Sequence, residues 1–254
     1  MCRTLPPEML DLIVNHLRDE LTALKVCCLV SKLWVPRSRK NLFAHVTFDA
    51  LGTPIESWMT AFPNPSNSPA HYTRTLTICG LRLVTAVNTN VGRWVRAFHS
   101  IVHLHVYTLG STESWGDDYQ VSLVPFYGLS PSVRSLHLHS VSVPPSEIFG
   151  LLCSFPLLEN FVSLSFGGGN GADEWTAPLA SPRLTGSLEL CSIAEGIGSI
   201  TRRLLDLPNG LRFTKISVLC FSGEDFESTT DLVSGCSDTL ESLSVIGHLE
   251  GVFF

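Results

Sequence analysis

The sequence predicts an α/β fold: three short N-terminal helices followed by a curved solenoid built on a parallel sheet. Three observations carry this expectation. A short apolar alternation recurs seven times between residues 76 and 245, at intervals of 28, 32, 26, 26, 28 and 27 residues, and internal periods of that size mark solenoids. Helix-like stretches separate the recurrences, as strand–helix–strand units with parallel pairing require. The first 45 residues also differ in charge, carrying seven Lys/Arg against four acids; their net of +3 leaves −9 for the rest of a chain whose total is −6. A break of this kind separates two functional units.

Composition narrows the class further. The chain has 254 residues, of which 44% are hydrophobic and only 16% charged, with a mean hydropathy of +0.25. Charged residues make up ~25% of an ordinary globular domain. The best-formed apolar run, near Leu24–Val30, falls far short of the ~20 residues of a spanning helix, so no membrane partner is expected. Disorder is excluded because so apolar a chain buries enough surface to offset ordering entropy. The start, MCRTLPPEML, is read as lacking a secretory or lipidation signal. Eight cysteines without CxxC or zinc spacing read as small buried hydrophobes in a reducing compartment, cytoplasmic or nuclear. Lys32, Arg37, Arg39 and Lys40 form a basic cluster, too small on a net acidic chain for a nucleic-acid footprint.

The first helix starts at Leu5-Pro6-Pro7-Glu8. Proline is tolerated in a first turn, and Glu8 and Asp11 complement the positive end of the helix dipole. Met9, Ile13 and Leu17 recur at helical spacing, with Leu10 and Leu12 widening the stripe. Arg18-Asp19-Glu20 leads to a second stripe at Leu21, Leu24 and Cys28, and Ser31 opens a third segment whose Pro36 fits a first turn. Three short helices bury little surface alone, so this module is expected to dock on the rest of the chain or on a second protein.

These residues carry a family resemblance. Leu5-Pro6-x-Glu8, then Ile13, Leu17, Leu21, Leu24, Val30, Trp34 and the closing Leu42-Phe43 resemble an F-box of the fungal type. That module joins adaptor proteins to Skp–cullin–F-box ubiquitin ligases. The resemblance covers roughly residues 3–45. It implies that Leu5 and Pro6 contact the Skp-family subunit, and that Ile13, Leu17, Val30 and Trp34 serve as interface or as three-helix core. The local +3 charge suits the acidic subunit that the resemblance implies.

Beyond residue 48 a turn-rich stretch, Phe62-Pro-Asn-Pro-Ser-Asn-Ser-Pro69, reads as a linker or surface loop. The organisation expected is therefore 1–48, 49–71 as linker, and 72–254. The recurring pairs are Leu76/Ile78, Leu104/Val106, Leu136/Leu138, Val162/Leu164, Leu188/Leu190, Ile216/Val218 and Leu243/Val245. The fourth is open, because Phe161/Ser163 could replace Val162/Leu164 as the inward pair. Helices are expected in 91–100, 145–154, 197–207 and 228–235, and STESWGDDYQ at 111–120 reads as an inserted surface loop. A strand and a helix every ~27 residues resemble a degenerate leucine-rich repeat. The family's asparagine position holds Leu81, Leu109, Val141, Ile193, Phe221 and His248, so its asparagine ladder is absent.

Residues flanking the inward pairs point to the opposite, concave face. That places His103, His105 and Tyr107 beside Ser135, His137 and His139. The patch reads as a target-binding surface, with plain exposed strand histidines and a zinc site as the other readings; the zinc site lacks a matching carboxylate or cysteine. Phe166–Gly171 lacks the Gly-Lys-Ser/Thr ending of a phosphate loop and reads as a loop. The acids at 113–118 and 224–227 lack the EF-hand pattern and read as solvated loops. No nucleophile elbow or triad setting is present, so no catalytic residue, metal or cofactor is expected.

The expected function is that of a non-catalytic substrate-recognition adaptor with two partners, a Skp-family subunit and an unidentified protein target. The other reading is a ligase-independent scaffold with the helical module as N-terminal cap. The sequence closes on Gly251-Val-Phe-Phe254 without the polar cap that solenoids need, so the expectation is a divergent protein, one partnered at this edge, or a truncated gene product.

Overall fold

The computed structural model describes residues 5–49, 55–80, 93–107, 122–141, 143, 145–164, 184–191, 197–207, 209–220 and 223–247. Helices α1 (Pro7–His16), α2 (Leu21–Val30) and α3 (Val35–Leu42) come first. Strand β1 (His45–Asp49), helix α4 (Ile55–Ala61) and two 3-10 turns (Pro65–Asn67, Pro69–Tyr72) lead to β2 (Thr75–Cys79). Then follow β3 (His103–Tyr107), β4 (Ser135–His139), α5 (Pro145–Cys153), β5 (Asn160–Leu164), β6 (Ser187–Cys191), α6 (Ile197–Leu205), β7 (Lys215–Cys220), α7 (Gly223–Gly235) and β8 (Ser242–Gly247). The expected insertion at 111–120 and the glycine run at 166–171 lie outside the described residues.

The eight strands form one parallel sheet in the order β1 to β8, so each strand pairs only with its neighbours in sequence. The expected α/β class and parallel pairing hold. Inward positions stack into rows, one running Val46, Leu76, Leu104, Leu136, Phe161, Leu188, Ile216, Leu243. The fourth unit resolves to Phe161 and Ser163: Phe161 pairs with Leu136 and Ser163 with Leu138, and both are fully buried. Packing decides it, because Phe161 fills the row that Leu136 and Leu188 occupy, while Val162 and Leu164 sit half-exposed opposite.

A ladder of backbone hydrogen bonds sets this register. The residue entering each strand donates its N–H to the carbonyl of the equivalent residue one unit earlier: Arg74 to Ala44, Val102 to Arg74, Arg134 to Val102, Glu159 to Arg134, Gly186 to Glu159, Thr214 to Gly186 and Glu241 to Thr214, all at 2.8–3.0 Å. These main-chain bonds link the entry turns of successive units.

The helices pack on the inward side of the sheet. Ile148, Phe149 and Leu152 of α5, Ile197, Ile200 and Leu204 of α6, and Leu232 of α7 share one apolar cluster with the strand residues. The segment between β1 and β2 joins the same cluster through Ile55 of α4 and Ala70 of the second 3-10 turn. Trp58 of α4 meets Phe43, Phe48 and Phe98 at ring-centroid distances of 5.7, 5.8 and 5.6 Å. Asp225 and Glu227, read from sequence as loop acids, lie within α7. An acidic side chain in a first turn faces the positive helix end, which favours an earlier start than the apolar pattern alone gives.

The N-terminal helices have a small core of their own. Leu10, Val14, Leu24 and Cys27 are buried and lie outside the main cluster. The α1 stripe is therefore rotated from the one expected: Leu10 and Val14 face inward, Ile13 and Leu17 are half-buried, and Met9 is exposed. Arg37 of α3 donates from Nε to Asp11 Oδ1 of α1 at 2.6 Å, and Asn41 Nδ2 donates to the Val14 carbonyl at 3.3 Å. Helix α3 packs against the turn Pro69–Tyr72, which ties the helices to the first units of the sheet.

Candidate functional site

Two surfaces collect the residues singled out from the sequence. The first is the outside of α1–α3. Helices α1 and α2 are apolar around much of their circumference, so burying one stripe leaves another facing out. Eight of the fourteen exposed large apolar side chains among the described residues fall within residues 5–33. Leu29 is 86% exposed, Leu12 65% and Val30 62%. Leu5 and Pro6 are exposed at the start of α1, where the Pro6 carbonyl accepts from Met9 and Leu10. Trp34, just before α3, is half-buried, as are Ile13 and Leu17. Among the six residues that the resemblance implied for this contact, Leu5, Pro6 and Val30 are open, while Ile13, Leu17 and Trp34 divide their surface between core and solvent. Val26, Leu29 and Leu33, all exposed, were not singled out from the sequence, and Leu12, counted there in the apolar stripe of α1, is exposed as well; for Val26 and Leu29 the near-continuous apolar run of α2, LKVCCLV, was the available signal.

The second surface is the outward face of the sheet. Parallel register sets His103 beside Ser135, His105 beside His137, and Tyr107 beside His139. All five expected target-face residues share this face, with His105, Tyr107 and His137 half-buried and His103 and His139 exposed. The rings of His105 and His137 stack with centroids 4.4 Å apart and planes 12° from parallel. Tyr107 and His139 form a second cross-strand pair at 5.6 Å. Ser135 Oγ lies 2.9 Å from His137 Nε2 and fixes the edge of that ring. Ser140, with φ of 54°, turns the chain just past β4, and its Oγ lies 3.1 Å from His139 Nδ1.

Burial, then the charge of His137 and of His103, pushes His105 down to about 4. His137 is lowered as well, by burial first and then by His103. Both imidazoles are therefore neutral at pH 7. On the strands flanking the pair, the outward positions hold Thr75, Thr77 and Cys79 on β2 and Asn160, Val162 and Leu164 on β5. None is a carboxylate that would stabilise an imidazolium. Among the described residues, no group of three or more His, Cys, Asp or Glu is placed to hold a metal ion. None of the described cysteines is in a disulfide, and burial raises Cys79, Cys153, Cys220 and Cys236, which keeps them protonated.

No helix among the described residues is long and apolar enough to cross a membrane. No protein-family model matches the chain, and no curated protein matches it.

Proposed function

We propose that this protein is a substrate-recognition adaptor of a Skp–cullin–F-box ubiquitin ligase. Helices α1–α3 act as an F-box that docks on the Skp-family subunit, and the parallel sheet acts as a degenerate leucine-rich-repeat arc that holds a protein target. The observation that carries this reading is the outer surface of α1–α3, where Leu12, Leu29 and Val30 stand in solvent beside a buried core of only a few residues. Exposed apolar surface concentrated on one small module is characteristic of a protein-binding site. The resemblance of residues 3–45 to an F-box supplies the partner. Docking would raise the target's effective concentration near the conjugating enzyme, so transfer proceeds by proximity and no residue of this chain takes part in the chemistry.

The packing of α3 on Pro69–Tyr72 favours a second reading, a ligase-independent scaffold whose helices cap the sheet. Co-expression with a Skp-family subunit, followed by size-exclusion chromatography and calorimetry, separates the two. The adaptor reading expects a stable one-to-one complex that the double variant Leu29→Asp, Val30→Asp abolishes without unfolding the chain. A folded wild-type chain that forms no complex leaves the scaffold.

A further inference from the structure

Across the middle of the outward face, one row of residues runs Thr77, His105, His137, Val162, Glu189, Ser217. Neighbouring strands are ~4.8 Å apart, close to the 4.4 Å between the stacked imidazoles, so the rings stand on edge and stack along the row. The ring face of His137 that is turned away from His105 therefore looks across the short side chain of Val162 toward Glu189. Two strand spacings, about 10 Å, separate the ring from that carboxylate. Glu189 is exposed and makes no ion pair among the described residues. The nearest outward-facing cation on the described strands, Lys215, lies one strand further on and in a different row, opposite Ser187. Leu164 and Cys191 line one end of this space, and Asn160 and Ser187, joined by hydrogen bonds to Asn160 Oδ1 at 2.8 and 2.9 Å, line the other.

The space has an aromatic wall, an aliphatic floor and an anionic wall. A guanidinium is planar, stacks on ring faces and carries a fixed positive charge that a nearby carboxylate attracts. We propose that the slot over Val162, between the His137 ring and the Glu189 carboxylate, receives an arginine side chain of a partner protein. The inference rests on the reading of the sheet face as the target-binding surface and does not depend on the Skp-family subunit. The groups that bear on its pH dependence are His103, His105, Tyr107 and His139 around the ring, Cys79 on β2, Asp49 on β1, Glu189 on β6 and Lys215 on β7. Protonation of His137 or His105 would place a cation beside the guanidinium, so acidification expels the ligand.

The test uses the full chain and the peptide (Gly-Arg-Gly)3, its citrulline analogue, which keeps the shape but not the charge, and a glutamate analogue. Binding is followed by fluorescence anisotropy and by the ring-proton signals of the histidines. The arginine peptide is expected to shift the His137 signals and to bind about fivefold or more tightly than the citrulline peptide. Glu189→Gln should remove that preference while leaving the melting temperature unchanged. Equal binding of the two peptides, a preference for glutamate, or an unaffected Glu189→Gln variant overturns the slot. A photoreactive residue in place of Ser217, irradiated in cell extract, separates this from the wider reading. A cross-link to an arginine-bearing segment supports both. A cross-link to a segment without arginine overturns the slot alone, and no cross-link overturns the target-binding face together with the slot.

Discussion

Leu136 on β4 and Leu29 on α2 are the same residue type in one chain, yet the first is fully buried and the second is 86% exposed. Leu136 lies between Leu104 and Phe161 in a row that the next unit always continues. Leu29 belongs to a three-helix module whose own apolar core is Leu10, Val14, Leu24 and Cys27. A repeated strand is sealed by its neighbours in sequence, whereas a small bundle of amphipathic and over-apolar helices closes only one side. The difference separates residues selected by stability from residues available for contact.

Substitution at the two kinds of position tests this separation directly. Phe161→Ala should cost about 3–5 kcal/mol, read as the loss in urea unfolding free energy, while Leu29→Ala should fall within about 0.5 kcal/mol of the parent. Comparable costs at both positions would erase the distinction. Next in size, Leu29→Asp with Val30→Asp should weaken binding to a Skp-family subunit by at least about thirtyfold, with the unfolding midpoint unchanged. A smaller gain lies inside the sheet. Ser163 occupies an inward position otherwise given to Leu138 and Leu190, and its buried Oγ has no hydrogen-bond partner among the described residues. Ser163→Ala removes that desolvated hydroxyl and should stabilise the chain by roughly 1 kcal/mol; a loss in the same unfolding assay would show that the hydroxyl is satisfied.

A further effect concerns protons. His105 and His137 are held below the ordinary imidazole value, His105 at about 4 against 6.5, so the unfolded chain binds protons before the folded one. Their contribution is intact above about pH 6.5 and is lost as the pH falls toward 4. Thermal melts across that window should show falling stability, and His105→Ala with His137→Ala should flatten the decline.

The sheet was legible in the sequence because its signal repeats. Seven alternations at near-constant spacing identify seven strands, and alternation alone places His103, His105, Tyr107, His137 and His139 on one face. At the fourth unit the signal failed for a local reason. Asn160-Phe-Val-Ser-Leu164 has apolar residues at both parities and a serine in the core, so only packing against Leu136 selects the register. Strand β1 was hidden differently: His45-Val-Thr-Phe-Asp49 follows α3 with only a short connection and no turn formers, and it reads as the end of the helical module. Helix α4 has seven residues, fewer than a periodic stripe needs for recognition. The stacking of His105 on His137 was out of reach as well, since alternation gives the face of a residue and not the tilt of its ring.

The strict order of strands also has a mechanical side. Sheet neighbours are chain neighbours throughout, so tension between the two ends acts across the strands and opens their hydrogen bonds one after another from an edge. The last step, from Lys215 to Ser242, would release about 90 Å of slack at ~3.4 Å per residue. Ile246 on β8, 59% exposed and bordering no further described strand, lies at one of the two edges of the described sheet. The imidazole pair on β3 and β4 lies several units inward, so a load on the C-terminal end would shorten the sheet well before it disturbed that pair.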